Sequence, residues 1–564
     1  MAVYYVSTTG SDDAKGSIDK PFASLDYAHS LAQPGDTIYI RGGTYSLTSV
    51  MKLSNSGTEG NPIKVLAYEG ETPVFDGAGI PTPDEFNGRA IQLDDVSWNY
   101  FKGIEIKNGP DGGLLIQGDS SNNVFEGIVA HDNGRASVAE GTGIALYGTG
   151  SDNLFLNCDS YANYDVLGGG ENADGFAIDG GSGNVLKGCR AWQNSDDGFD
   201  FFNASFAKND KGSAVVADTC WAWGNGYSAD GTPLGDGNGF KLGGQRADLG
   251  NTSGGHLIVN CVSWDNLAAG FDGNNATNPV TVVNSTAFNN GTFDFHFYKI
   301  AHILTNNLAF AGGEGVQVGS ESIQTANSWI LPVKVSAGDF LSLSDAVAKG
   351  ARQADGSLPD TVFLHLVSGS DLIDIGVAVA WRDSMGAPDL GAFESDGSTP
   401  VAGGGSGDGD VALDGTTVPP TTYALGQKII GSKAKNVLVG GDGDDLIKGL
   451  KANDKLFGVA GDNKLLGGGG KDKLVSGTGD DVLKGGGGKD IFVFNENFGN
   501  DRINDFDPRK DTIQFDKSIF ASYSELQSAM TAQKDGVLIQ AGDDSVFLAK
   551  VKIGSLDAHD FLFV

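Results

Sequence analysis

The segments "CDSYAN", "CRAWQN", "CWAWGN" and "CVSWDN" start at Cys158, Cys189, Cys220 and Cys261 and repeat one short pattern. With Gly103, Gly127 and Ser285 added, the anchors are spaced by 24, 31, 31, 31, 41 and 24 residues. Three residues after them stand Ile106, Ala130, Tyr161, Trp192, Trp223, Trp264 and Phe288. Five residues after them stand Asn108, Asp132, Asn163, Asn194, Asn225, Asn266 and Asn290. One coil of a parallel β-solenoid needs about this much chain, and its loops absorb the excess. Like residues then stack about 4.8 Å apart on successive coils. The spacing therefore predicts an aromatic ladder, an asparagine ladder suited to left-handed turn dihedrals, and a buried cysteine ladder close enough to permit a disulfide.

A second strand lines up in the same coils. It carries Gly143-Ile144, Gly175-Phe176, Gly198-Phe199, Gly239-Phe240 and Gly270-Phe271. The next residue is Ala145, Ala177, Asp200, Lys241 and Asp272, and the residue before each glycine is Thr142, Asp174, Asp197, Asn238 and Ala269. Lys241, in "GDGNGFKLGG", is expected between Asp200 and Asp272, one coil from each. Acidic and polar side chains then crowd one face around it.

The chain has 564 residues, 86 of them glycine, yet 40% are hydrophobic, which fits a turn-rich β architecture rather than disorder. The net charge of −34 argues against nucleic acid and anionic membranes and suits bound Ca²⁺, since carboxylates are hard oxygen ligands. No apolar run is long enough for a membrane insertion. The start "MAVYYVSTTG" has neither a basic nor an apolar signal region, and four cysteines make no disulfide framework. A monomer is expected.

Beyond a Gly/Ser/Thr/Asp/Pro-rich linker at 395–427 the repeat changes kind. From Gly431 the chain runs in seven nonapeptides without insertion, starting at 431, 440, 449, 458, 467, 476 and 485. The sixth position is Asn436, Asp445, Asp454, Asn463, Asp472, Asp481 and Asp490; the eighth is Leu438, Ile447, Leu456, Leu465, Leu474, Leu483 and Phe492. This is the pattern of an RTX β-roll over 428–497, in which Asp445, Asp454, Asp472, Asp481 and Asp490 supply oxygen to several structural Ca²⁺ ions. Ala434, Ala452, Asn436 and Asn463 depart from it and predict weaker sites. Residues 498–564, with "NDRINDFDPRKDTIQFD" and "DAHDFLFV", resemble the cap and uncleaved signal of RTX proteins exported by a type I secretion transporter. A roll that is open at low Ca²⁺ and folds outside would pass such a channel. The expectation is an extracellular protein.

Residues 3–394 resemble family-nine polysaccharide lyases. The blocks are "YYVSTTGSDDAKGSIDKPFASLDYAHSLAQPGDTIYIRGGTYSL", "ADGFAID", "NSDDGFDFF", "GNGFKLGG" and "APDLGAFE", in that order. The resemblance implies an all-β chain whose catalytic domain, 1–394, is a right-handed parallel β-helix. It implies a catalytic Ca²⁺ on Asp174, Asp196, Asp197 and Asp200, with Lys241 as base. The implied reaction is β-elimination on a 4-linked uronate of an acidic polysaccharide, pectate or a bacterial exopolysaccharide. A neutral lysine is required, so its pKa must fall far below its ordinary value. Arg246, Asn238 and Asp272 are substrate-binding candidates; Arg246 could hold a carboxylate bidentately. The alternatives are a mannuronan-type C5-epimerase or other alginate-active enzyme, and a non-catalytic RTX glycan-binding or adhesin protein. A hydrolase would need carboxylates straddling the bond.

Overall fold

Each coil of the N-terminal region gives one strand to each of three parallel sheets. A 12-stranded sheet runs from Val3–Val6 to Ile323–Thr325. Two 10-stranded sheets run from Met51–Leu53 to Gly315–Val318 and from Gly43–Ser46 to Leu308–Phe310. This computed structural model describes residues 1–81, 88–134, 140–165, 167–205, 208, 212, 214–377, 379, 387–395, 428–430, 437–439, 445–458, 461–495, 498–542 and 544–563. The chain divides into two compact units, Met1–Gly376 with Asp389–Thr421, and Val377–Pro388 with Thr422–Val564. The expected linker at 395–427 lies outside the described residues except for Ser395.

The core of the first unit is a set of ladders. Phe176, Phe199, Phe240, Phe271 and Phe295 stack inside with ring centroids 5.0, 4.6, 4.9 and 5.0 Å apart. Tyr161, Trp192, Trp223 and Trp264 stack on the 10-stranded sheet that ends at Leu308–Phe310, at 4.3, 4.7 and 4.9 Å. Cys158, Cys189, Cys220 and Cys261 are buried and unbridged. Asn163, Asn194 and Asn225 each donate Nδ2–H to Oδ1 of the next ladder asparagine, at 2.8, 3.0 and 2.9 Å, Asn225 reaching Asn266. The same Oδ1 atoms accept the backbone N–H groups of Asn163, Asn194 and Asn225, so these buried turn groups are satisfied from coil to coil.

Two expectations need correcting. The left-handed residues are not the ladder asparagines but those just before them: Asp132, Ala162, Gln193, Gly224, Asp265 and Asn289, with φ of 51–62°. The first two anchors are also one residue early. Ala130 pairs with Ser160 and His131 with Tyr161, so His131 and Asn133, not Ala130 and Asp132, continue the ladders. Gly127 takes the positive φ of 59° that Asn157 and Gly188 take at 54° and 61°, one residue before the cysteine position. A backbone need, not the core position, had made the glycine look like an anchor.

In the second unit, strands pair every second nonapeptide: Leu446 with Lys464, Lys464 with Val482, and in the facing sheet Lys455 with Lys473. All seven eighth-position residues are core, from Leu438 to Phe492. The cap is part of the sheets. Phe561–Phe563 pairs in parallel with Ile513–Phe515, and a hairpin over Gly536–Ala541 and Asp544–Ala549 extends the other sheet beside Asn500–Ile503. No helix among the described residues is long and apolar enough to cross a membrane.

Candidate active site

The interior phenylalanine stack decides where Lys241 points. Successive strand residues face opposite ways, so inward Phe199, Phe240 and Phe271 force Asp200, Lys241 and Asp272 outward. Their register is Asp200 against Lys241 and Lys241 against Asp272. Gly239 is set by packing inside. A Cβ there would lie 2.0 Å from Ser263 Oγ. This glycine therefore serves the ladder beneath the strand rather than a sugar above it.

Lys241 is 9% exposed, and its Nζ lies 3.0 Å from Asp197 Oδ2, 3.3 Å from Asp200 Oδ2 and 3.5 Å from Asp236 Oδ2. Asp174, Asp197 and Asp200 each bring one carboxylate oxygen within 4.8 Å of the other two. Asp196 falls in a second triad of the same dimensions, with Asp197 and Asp236. The backbone holds one oxygen of each expected aspartate. Oδ1 of Asp174 accepts Asp197 N–H at 3.2 Å, and Oδ1 of Asp200 accepts Phe202 N–H at 2.9 Å. Oδ1 of Asp196 accepts Asp236 N–H at 2.7 Å, and Oδ1 of Asp197 accepts Asn238 N–H at 2.6 Å.

Burial is the main force raising the pKa of Asp174, Asp196, Asp197 and Asp200, and mutual repulsion adds to it. Asp197 is pushed up to about 6 against the pull of Lys241. Burial works to lower Lys241, but Asp197, Asp200, Asp196 and Asp174 outweigh it and hold the ammonium well above its ordinary value. By themselves the carboxylates keep the lysine protonated, the opposite of what the base needs. Oxygen-only donors in a buried, over-charged cluster fit a hard divalent cation, which would offset that excess.

The other expected residues divide. Asn238 lies beside the lysine but serves Asp197: backbone N–H and Nδ2 both donate to Asp197 Oδ1, and Asn238 Oδ1 accepts Ala269 N–H at 3.1 Å. Asp272 is next to Lys241 in register, yet its carboxylate accepts Asn274 N–H at 2.7 Å and lies 3.3 Å from His296 Nδ1. Arg246 already has its fork on Asp248, at 3.0 Å for both contacts. Two residues were missed. Asp236 sits in a loop before the repeated strand, beyond the reach of column alignment. Asp179 lies two residues past Ala177 on the outward face; burial, then Asp200 and Glu140, hold its carboxyl well above the usual range.

In the roll, Asp445, Asp454, Asp472, Asp481 and Asp490 are all buried. Asp472, Asp481 and Asp490 each accept a backbone N–H from the preceding coil through Oδ1, at 2.8, 2.6 and 2.9 Å. Their Oδ2 atoms are buried without a hydrogen-bond partner, as is that of Asp501, which continues the column into the cap. Burial first, then Asp501, lifts Asp481 to about 9. Orphaned carboxylate oxygens facing glycine turns fit Ca²⁺, and Asp501 was not anticipated.

Fold and site together define a polysaccharide lyase built on a parallel β-helix, and comparison with known proteins bears on the same point. Residues 4–307 match the Pel9A-like right-handed β-helix region, and 430–465 and 466–496 match the RTX calcium-binding nonapeptide repeat. Pectate lyase PEL9 of Emericella nidulans is 37% identical over 400 residues, 67% of this chain and 94% of that protein. Pectate lyase L of Dickeya chrysanthemi is 36% identical over 406 residues, 70% and 90% of the two chains. The crystal structure of pectate lyase Pel9A matches with TM-score 0.60 and 34% identity, over 70% of this chain and 96% of that one. A rhamnogalacturonan lyase matches at TM-score 0.57 and 29% identity, over 65% and 97%. The chain belongs to the Pel9A-like lyase family and carries RTX calcium-binding repeats.

Proposed function

We propose that the protein is a secreted, Ca²⁺-dependent lyase that cleaves 4-linked uronate chains, polygalacturonate first, by β-elimination with Lys241 as base. The carrying observation is a lysine whose Nζ lies 3.0 and 3.3 Å from two members of a buried aspartate triad, on the outward face of the sheet. Asp174, Asp197 and Asp200, with Asp196 alongside, would hold the ion; when bound it would engage the uronate carboxylate and acidify the C5 proton. Lys241 Nζ takes that proton. The C5–H pair becomes the C4=C5 bond, the C4–O bond breaks, and the glycosidic oxygen leaves and is protonated as a new reducing end. Asn238 keeps Asp197 in place throughout, and Phe240 beneath fixes the direction of the lysine.

Secretion through a type I transporter is supported by the RTX repeats and by orphaned Asp oxygens that favour folding where Ca²⁺ is plentiful. The test is ultraviolet absorbance of unsaturated uronate, with Ca²⁺, on polygalacturonate, rhamnogalacturonan, alginate and glucuronate-containing exopolysaccharide. Absorbance should rise on polygalacturonate and not with chelator. New reducing ends without absorbance, or altered uronate stereochemistry without cleavage, would defeat the reading.

A further inference from the structure

The charge of the chain is unevenly divided. Residues 428–564 hold 18 Lys and Arg against 21 Asp and Glu, so only −3 of the net −34 belongs to them. The acids sit at the turns. Asp472, Asp481 and Asp490 are buried there, while Asp480 Oδ1 accepts Asn500 N–H at the start of the next strand. A subset of the cations, Lys448, Lys464, Lys484 and Arg502, lies elsewhere, on strands of the eight-stranded sheet.

Strand register places them. Inward residues Ile447, Leu465, Leu483 and Ile503 are core. Their neighbours therefore form two outward columns. One runs Leu446, Lys464, Val482, Arg502, Phe547. The other runs Lys448, Leu466, Lys484. Each of four successive coils thus presents one cation, Lys448, Lys464, Lys484 and Arg502, alternating between columns, and neither column contains a carboxylate. The coil rise of about 4.8 Å puts the cations of one column about 10 Å apart. Lys464, Lys484 and Arg502 are exposed and Lys448 is half-buried. Among the described residues Lys448, Lys464 and Lys484 have no ion-pair partner. Arg502 lies over Phe547, 4.8 Å from the ring centroid, and its Nε donates to Asn504 Oδ1 at 2.8 Å.

A zigzag of unpaired cations, with Leu446, Leu466 and Val482 between them, is complementary to an extended polymer bearing a carboxylate on every sugar. Ammonium groups meet carboxylates, and aliphatic side chains meet the C–H faces of the rings. Cations bound at the turns would only make this unit more positive. We propose that this face of the roll is a second, non-catalytic binding surface for an acidic polysaccharide chain, holding polymer while the β-helix cleaves it. Covalent linkage raises the effective concentration of substrate at the active site. The inference rests on the substrate being a polyuronate.

The test uses full-length protein with Ca²⁺ and immobilised polygalacturonate. In the variant Lys448→Gln/Lys464→Gln/Lys484→Gln/Arg502→Gln, affinity should fall about tenfold or more, and the dependence of binding on salt should flatten because fewer counterions are released. The rate on a short soluble oligouronate should stay unchanged while kcat/KM on polymer falls. A control, Lys455→Gln/Lys473→Gln on the facing sheet, should bind like wild type, and the Ca²⁺ dependence of far-ultraviolet circular dichroism checks folding. Wild-type affinity in the quadruple variant, equal loss in the control, or preference for anionic lipid vesicles over polysaccharide would overturn the proposal. If wild type cleaves no polyuronate yet binds one in a salt-sensitive way that the quadruple variant loses, the binding surface stands and the substrate assignment falls.

Discussion

The two repeat regions use aspartate for opposite ends. In the β-helix the coils vary from 24 to 41 residues, and four aspartates converge at one level with a lysine among them. In the roll the repeat never varies, and Asp472, Asp481 and Asp490 stand one per turn, each with one carboxylate oxygen buried without a hydrogen-bond partner. Irregular coils let loops such as that of Asp236 bring charge to one point, where it can act on a substrate. Regular coils distribute the same charge evenly, where an ion at each turn can stabilise the stack. Acidic density is thus gathered around one lysine in one region and spread along the turns in the other.

The largest effect that would break this contrast is at Lys241. Lys241→Ala should lower the lyase rate about 10³-fold or more, in the range of a lost proton-transfer group, with melting of the β-helix unchanged. A variant retaining a tenth of the rate would leave the β-helix cluster no more catalytic than the roll's. Chelation comes next. It should lower the melting temperature of the roll while the β-helix keeps its near-ultraviolet circular dichroism, since ligand at 1,000 times its Kd contributes about 4 kcal/mol. Asp481→Ala should weaken the Ca²⁺ response of the roll and spare cleavage of short oligomers. One shared transition for both regions would undo the distinction.

Protons sharpen it further. Without metal, burial chiefly pushes the carboxyls of Asp490, Asp501 and Asp481 up to about 6, 8 and 9. The folded roll then binds more protons than the unfolded chain, so its stability falls as pH rises. In chelator the roll should melt higher at pH 5 than at pH 8, and Ca²⁺ should remove or invert the difference; thermal melts at both values decide this. The smallest effect is expected at Arg246. Its fork is on Asp248 at the surface, so Arg246→Ala should change kcat/KM on polymer less than about threefold.

Much was legible in one dimension. The column of Asp200, Lys241 and Asp272 could be read because strand alternation and coil repetition are periodic, and the register agrees. The nonapeptides read equally well, down to every core leucine. What failed was local. Gly127 imitates a core anchor because it meets a dihedral need, and Asn108 and Asp132 stand one residue before the true ladder positions.

The sequence by itself determined the two solenoids, the column shared by Asp200, Lys241 and Asp272, and the aspartate column of the roll, because each follows from a repeat and a side-chain period. Only the tertiary structure decided which of the lysine's neighbours it touches. Asp197, Asp200 and Asp236 are within 3.5 Å, while Asp272, as near in register, turns to His296. Register fixes Cβ positions to within a coil, but side-chain direction depends on which partners offer hydrogen bonds. The basic zigzag of the roll likewise needed strand pairing, since Lys448 and Lys464 occupy different positions of their nonapeptides and share a face only after the coils close.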